Sequence, residues 1–515
     1  MSFKHTIFAI LLGFSLVKPV AAEIPSGPVT LEQCIKAAVE NNLDLRITSY
    51  NPRLSTLALD GVYSSYDPNF SVGVNDSHRV SKGRQNPLEF TIPTSETDSF
   101  RHNYGLNGLL PTNTRYSIGL NGSETTGTSA NNFPFGSYGA GFNLRLTQPL
   151  LRGAWSGNRV RMNIRLSKKQ IESSGLDVKQ RVIQTVSTVE SAFYNLLAES
   201  QNLTIAEDSL KTAEEDLRIM KIKVNVGTEA KTRLPQLEAT VYDRLASLLS
   251  ARNTYTTRVN NLKSLISADF ASTAENKLSP IGELNPVQTV FSRSDSWDKA
   301  LNNRPDILKS SISLERANIQ LKFDKNQLYP QLDLTGSYGL TGTDNAVTAF
   351  RDKLPYISRS ATFDNSFRDI RKRDYPNYSV GISLNIPIPN RAARASYKTS
   401  LAQKEIALLR HKQLEQTIMI SIDQLIRDAE TSFKQIEARR LERVSRELDV
   451  KNERTLRDEG ASTDFSVIQR ERNLTLSRYQ ENRAKANYLI SLTDLAAAEG
   501  SLLERHSINI EFVEE

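Results

Sequence analysis

The chain has a single cysteine in 515 residues, so it can form neither an intramolecular disulfide nor a thiolate metal site. That residue, Cys34, falls in a helical pattern and reads as a buried thiol. Five histidines (His5, His78, His102, His411 and His506) are scattered, with no spacing that would hold a metal. The glycines of Gly336-Ser337-Tyr338-Gly339 lie in a strand-like run, the wrong setting for a phosphate loop. The sequence therefore offers no catalytic, cofactor-binding or metal-ligating residue, and an enzyme is not expected. Beyond the N-terminal segment no run reaches 18 apolar residues, which excludes a transmembrane helix. Charge of one sign is nowhere concentrated. The net +7 is spread along segments that mix basic with acidic residues and read as solvated helical faces. No basic stripe carries stacking aromatics, so nucleic acid is not an expected partner.

Proline and glycine are also missing from one long stretch, between Gly175 and Gly227. Nothing there interrupts a helix for about fourteen turns. Leu203, Ala206, Leu210, Ala213, Leu217, Met220 and Val224 recur at spacings of 3 and 4. Val182, Val186, Val189, Phe193 and Leu196 carry the same register upstream. This apolar seam asks for partner helices along its length. The chain turns at Gly227 and reads as helix again to about Ile266. A hairpin so long is too thin to be a globular core, so something must surround it or repeat it.

At the N-terminus, Lys4 and His5 precede an apolar run from Ile7 to Val17, and Val20-Ala21-Ala22 supplies small residues. Residues 1–22 read as a secretory signal peptide. From Thr30 to Tyr66 the pattern is helical, opened by a capping box of Thr30 with Gln33. At Pro68 the period changes to two. Phe70, Val72 and Val74, then Tyr104 and Leu106, then Tyr116, Ile118 and Leu120, then Phe142, Leu144 and Leu146 alternate with polar or small residues. Each run is a strand with one apolar face. A polar loop, Ser81 to Ser99, separates the first two.

The order then repeats. Asp44 and Pro68 stand 24 positions apart, as do Asp306 and Pro330, and Gly141–Pro149 matches Gly381–Pro389 at an offset of 240. From Pro149 to Gly227 is 78 residues and from Pro389 to Gly460 is 71, a difference of one heptad that leaves the seam facing the same way. The expected first repeat is 23–303, with strands in 68–148, a helical hairpin over 159–266 turning at 227, and an equatorial segment over 268–303. The second is 304–515, with strands in 331–387, a charged loop between them, a hairpin over 391–503 turning at 460, and a C-terminal tail.

One-sided strands in a secreted chain without disulfides suggest an outer-membrane barrel. More than half of the Phe and Tyr residues fall in the windows 63–149 and 329–388, as interfacial girdles require. Four to six strands per chain are too few to close a barrel, whose smallest form has about eight. An open edge in lipid leaves backbone groups unpaired, so several chains must share one barrel. Three copies give about 12 strands, or 18 if the extra hairpin from Arg101 to Glu124 joins the wall. The expected fold is thus an α+β membrane protein. Tandem repeats of β-strands contribute to a shared trimeric outer-membrane β-barrel, and long helical hairpins form a periplasmic α-barrel.

Several stretches carry a resemblance: "LEQCIKAAVENNLDL", "YDPNFSVGV", "LRLTQPLLRG", "VGTEAKTRLPQLEA", "RPDILKSSISLERANIQLKFDKNQLYPQLDL" and "DEGASTDFSVIQRERNL". In this order, and twice over, they resemble the TolC-type outer-membrane efflux channel family across nearly the whole chain after the signal peptide. The resemblance implies a homotrimer in outer-membrane lipid with a large periplasmic portion. It further implies docking to a periplasmic adaptor protein and an inner-membrane pump, in drug efflux or type I secretion. It makes the helix tips the adaptor-docking residues: Val226, Gly227 and Thr228 in the first hairpin, Gly460, Ala461 and Ser462 in the second. Family members often close the entrance with acidic residues three apart after the second turn glycine. Here Ser466 and Gln469 stand there, and Arg233 replaces an acid in the first hairpin, so an acidic ring is not expected. Arg233 and Asp464 are candidates to pair between hairpins, with Ser466 and Gln469 lining a neutral constriction. A trimeric surface stalk with a membrane barrel is the alternative, and the turn glycines speak against it, because a stalk needs one helix direction.

Overall fold

The computed structural model describes residues 27–83, 94–129 and 132–508. The signal-peptide segment lies outside the described residues. Strand β1 (Gly27–Val29) leads into helices α1 (Leu31–Asn41) and α2 (Leu43–Tyr63). Strands β2 (Asn69–Ser81), β3 (Ser95–Leu109), β4 (Arg115–Thr128) and β5 (Pro134–Pro149) follow. Helix α3 runs over Arg159–Asn225 and is followed by α4 (Leu234–Ile266) and α5 (Phe270–Thr273). Then come β6 (Leu278–Pro280), α6 (Arg293–Asn303) and α7 (Pro305–Asn326). Next are β7 (Gln331–Asn345), β8 (Val347–Arg351), β9 (Leu354–Arg359), α8 (Phe363–Lys372) and β10 (Pro376–Asn385). The chain closes with α9 (Arg391–Asp458), α10 (Asp464–Glu499) and α11 (Leu502–Arg505). Helix lengths recur in pairs: 21 and 22 residues for α2 and α7, 67 and 68 for α3 and α9, 33 and 36 for α4 and α10.

The chain divides into two compact units, one of residues 1–51, 175–309 and 412–515, the other of residues 52–174 and 310–411. In the second unit, six strands form an antiparallel sheet in the order β10-β7-β5-β4-β3-β2. The hairpin carrying Arg101 and Glu124 is hydrogen-bonded into it on both sides, so each chain supplies six strands. The pairing runs without an irregularity, so residues of one parity share one face across all six strands. Phe70, Leu106, Ile118, Leu144, Tyr338 and Tyr378 stand in one row, and Val72, Tyr104, Leu120, Phe142 and Leu340 in the next. The opposite face is polar or bare, with Ser71, Gly105, Gly119, Asn143, Gly339 and Asn377 forming its adjacent row. Strands β2 and β10 are the two sheet edges, exposed along their whole length.

Two loops read from the sequence are shorter than expected. Strand β3 begins at Ser95, paired with Ser81. Both faces are polar there, as in the His78–Asp98 pair at 2.6 Å, so no alternation marks the strand. The charged loop of the second half contains the β8–β9 hairpin, turning through Asp352 and Lys353 at positive φ, and the amphipathic α8. Helix α8 is pinned to the sheet by Ser366 Oγ, which donates to the Tyr138 carbonyl at 2.8 Å, and by Phe363 stacked on His102 at 5.2 Å.

In the first unit, Cys34, Ile35 and Ala38 of α1 share one core with Val182, Val186, Val189, Phe193 and Leu196 of α3 and with Leu262 and Ile266 of α4. Burial pushes the Cys34 thiol up to about 12, leaving an inert thiol. Thr30 and Gln33 form the capping box. The helix expected from Thr30 to Tyr66 breaks at Asn42, whose backbone is extended. Its Oδ1 accepts from the Leu45 amide at 3.1 Å and its Nδ2 donates to the Leu265 carbonyl at 3.1 Å. One side chain thus starts the second helix and ties it to α4. Strand β1 pairs in parallel with β6.

Candidate functional site

Both helix turns belong to the first unit. At the end of α3, Gly227 has φ +82, the left-handed conformation that glycine adopts without a Cβ penalty. Its amide donates to the Val224 carbonyl at 3.1 Å, and the Thr228 amide to the Lys223 carbonyl at 2.9 Å. That pair of bonds satisfies the orphan carbonyls of a helix end. The second turn repeats it: Gly460 has φ +78, its amide donates to Arg457 at 3.0 Å, and Ala461 donates to Leu456 at 2.8 Å. A Cβ at either glycine would meet nothing within 4 Å, so backbone angle and not space requires glycine at both. The restart differs. After Gly227 a 3-10 turn, Lys231–Arg233, precedes α4, with Pro235 in its first turn. After Gly460, Thr463 caps α10 by accepting from the Ser466 amide at 3.3 Å.

The structure brings Arg233 and Asp464 together within one chain, Nη2 to Oδ2 at 3.0 Å. The Asp464 side chain is only 9% exposed and Arg233 is 35% exposed, so the pair is more enclosed than two charges at a surface. Glu229 holds the other guanidinium nitrogen at 2.5 Å. Its hydrogen bond raises the Arg233 pKa, partial burial opposes, and the Asp464 charge adds to the rise. Arg233 is therefore a two-pronged clamp between the turn after α3 and the first turn of α10. Sequence reasoning missed Glu229, although its spacing of four before Arg233 is the signal. Ser466 is half-buried and Gln469 exposed; neither makes an ion pair. Val226, Gly227, Thr228, Gly460 and Ala461 are exposed and Ser462 is half-buried. Val226 at 73% and Phe465 at 65% leave apolar surface uncovered at the tips.

Above the tips, α9 and α10 are joined by charge. Arg443 reaches Glu481, Arg478 reaches Glu447 at 2.9 Å, Arg470 reaches Asp449 at 3.2 Å, and Arg454 reaches Glu471 at 2.5 Å. These residues are therefore not the solvated faces that their mixed charges suggest in the sequence: they pair across helices, and Glu481 is buried. Asp216 of α3 lies beside the last rung. Burial, and then the Glu471 charge, raise its carboxyl above the ordinary range, against the pull of Arg454 and Arg457. Among the described residues no group of three or more His, Cys, Asp or Glu could hold a metal.

Comparison with known proteins gives one family model, described as outer membrane efflux protein, matching residues 113–268 and 297–501, more than half of the chain. Nodulation protein T of Rhizobium leguminosarum bv. trifolii is 20% identical over 347 residues, 66% of this chain and 68% of that protein. The proteases secretion protein PrtF of Dickeya chrysanthemi is 23% identical over 210 residues, 41% of this chain and 42% of its own length. The chain thus spans less than half the length of that second relative. Among solved structures, the CmeC outer membrane channel of Campylobacter jejuni superimposes with a TM-score of 0.63 at 17% identity, covering 92% of this chain and 86% of that one.

Proposed function

The chain belongs to the outer membrane efflux protein family, and on that premise we propose that it is the exit duct of a tripartite efflux or type I secretion system, a passive homotrimer opened by a periplasmic adaptor and an inner-membrane pump. Members of the family are outer-membrane channels, not enzymes, and the chain is an outer-membrane channel. The observation that carries the trimer is the six-stranded sheet with one apolar face and two unpaired edges. Hydrocarbon cannot satisfy those edges, and six strands do not close a membrane barrel. Three copies, pairing β10 of one with β2 of the next, give about 18 strands around an aqueous lumen. The repeats 23–303 and 304–515 then place two hairpins per copy in the helical tube, a division supported by the paired helix lengths.

The exposed tips, with Val226 and Phe465 uncovered, are the surface offered to the adaptor. The Arg233–Asp464 contact is the closing latch, and Ser466 and Gln469 form a neutral constriction beside it. Native mass measurement of the purified protein in mild detergent tests the assembly. The expected species is a trimer that resists dissociation. A stable monomer with full β content overturns the reading.

A further inference from the structure

The six-stranded sheet separates its charges by face. Every arginine in the six strands, namely Arg79, Arg101, Arg115 and Arg145, has odd parity and lies on the polar face. That face carries one carboxylate, Asp333, which is 9% exposed and accepts from Gln331 Nε2 at 2.7 Å. The other strand carboxylates, Asp76, Glu96, Asp98, Glu124 and Asp344, have even parity and lie on the opposite face, Asp76, Glu124 and Asp344 in one row with Phe100 and Tyr138.

The arginines have neutral neighbours. Arg101 stands between Asn75 and Ser123, and Arg145 between Ser117 and Ser337. Arg115 is paired with Thr147 and Arg79 with Thr97. All four are exposed, and among the described residues none makes an ion pair. Guanidinium groups stay charged at any working pH. The polar face thus carries four unpaired positive charges against one carboxylate, Asp333.

From this we infer that the lumen of the barrel is selective for anions, and that the duct favours negatively charged small solutes over cations. The inference rests on the channel reading above, which turns the apolar face to lipid and the polar face to the lumen. Rings of arginine recruit anions in other pores by the same electrostatics. The wall charges act over a Debye length of about 10 Å at 0.1 M salt, which reaches well into a lumen of this class, and over about 3 Å at 1 M, which does not.

The test is the reversal potential of the purified full-length protein in planar bilayers under a KCl gradient. Near 0.1 M salt the parent passes chloride in preference to potassium, and the preference fades near 1 M. Arg101→Glu with Arg145→Glu shifts the permeability ratio severalfold toward potassium, whereas Arg101→Lys with Arg145→Lys keeps it. A parent preferring potassium, or a Glu variant indistinguishable from the parent, overturns the inference while leaving the channel standing. Inserted protein that passes no current, in the parent and in the latch variant Asp464→Arg alike, overturns the channel reading and the inference together. Should the Glu variant fail to assemble, the sign of the parent's preference and its fading in salt decide alone.

Discussion

The two long hairpins have nearly equal lengths and are joined by different chemistry. Along α3 and α4 the seam is apolar, with Val182, Val186, Val189, Phe193 and Leu196 sharing a core with Val259, Leu262 and Ile266. Among the described residues two ion pairs cross between those helices, Glu207–Arg252 at 3.3 Å and Lys221–Glu238 at 3.5 Å. Along the outer half of α9 and α10 four arginine–carboxylate rungs take over, and from Glu437 to Asp458 the one buried apolar residue of α9 is Val450. A close-packed apolar seam admits one register, because sliding it opens voids. A ladder of charges has spare partners. Glu447 takes Arg443 at 2.8 Å as well as Arg478, and Arg470 has Glu453 at 4.0 Å besides Asp449. Partners can be exchanged one rung at a time, so the second hairpin is the one suited to move and the first is the one suited to hold.

Four experiments can break or sharpen that contrast. The largest effect is expected from Leu196→Ala, at a fully buried position of the apolar seam. It should cost about 2–5 kcal/mol in thermal unfolding of the detergent-solubilised protein, and the loss should not change with salt. A salt-dependent loss would mean that the first hairpin is not held by its core.

Next is Arg443→Ala. Burial pushes the Glu481 carboxyl up, but bonds from Lys485 and Arg443 outweigh it and hold the group below the ordinary range. Lys485, 2.8 Å from Glu481 in the parent, is still there to pair with it, so the cost should be about 1–3 kcal/mol. Hydrogen exchange across residues 437–458 should rise, and about 1 M salt should raise it in the parent too. Residues 182–196 should stay protected in both, and equal loosening of the two hairpins removes the contrast.

The apolar core has an ionic exception. Glu190 of α3 is fully buried and accepts from Thr493 of α10 and from His506. Burial alone would raise its pKa, yet those hydrogen bonds hold it below the ordinary value of 4.5. A depressed carboxyl contributes stability that is full above the unfolded value and is lost as pH falls through the folded one. The melting temperature of the parent should therefore drop more steeply below about pH 4.5 than that of Glu190→Gln. Parallel profiles would assign the acid response to other groups.

The last experiment concerns Arg233–Asp464, where the two hairpins meet. Its readout is single-channel current. Asp464→Arg should raise basal conductance, and adding Arg233→Asp should lower it again. Variants that conduct like the parent show that the pair holds nothing shut.

Much of this architecture was legible in the residues. The α3 seam, the strand alternation from Phe70 to Leu146 and the meeting of Arg233 with Asp464 follow from period, parity and distance to a turn glycine. What escaped lacks a period. Helix α8 is ten residues long, too short for its apolar stripe to recur. Strand β8 has five residues, and its partner is set by the left-handed turn at Asp352 and Lys353. The break at Asn42 depends on one side chain finding Leu265, which is 223 residues away in sequence. The α9–α10 ladder escaped because a cross-helix pair and a solvated charge look alike until the partner helix is placed.

The open edges of the sheet bear on how the channel is made. A lone copy presents two unpaired strands, of 13 and 10 residues, and neither can enter hydrocarbon unmet. The same edges in water are templates for mispairing with any extended chain nearby. Biogenesis is thus a race: copies must find one another before stray strands find them, and the bilayer admits only the completed ring. The rate at which channels appear should climb more steeply than the supply of chains, because insertion is a collective event rather than three separate ones.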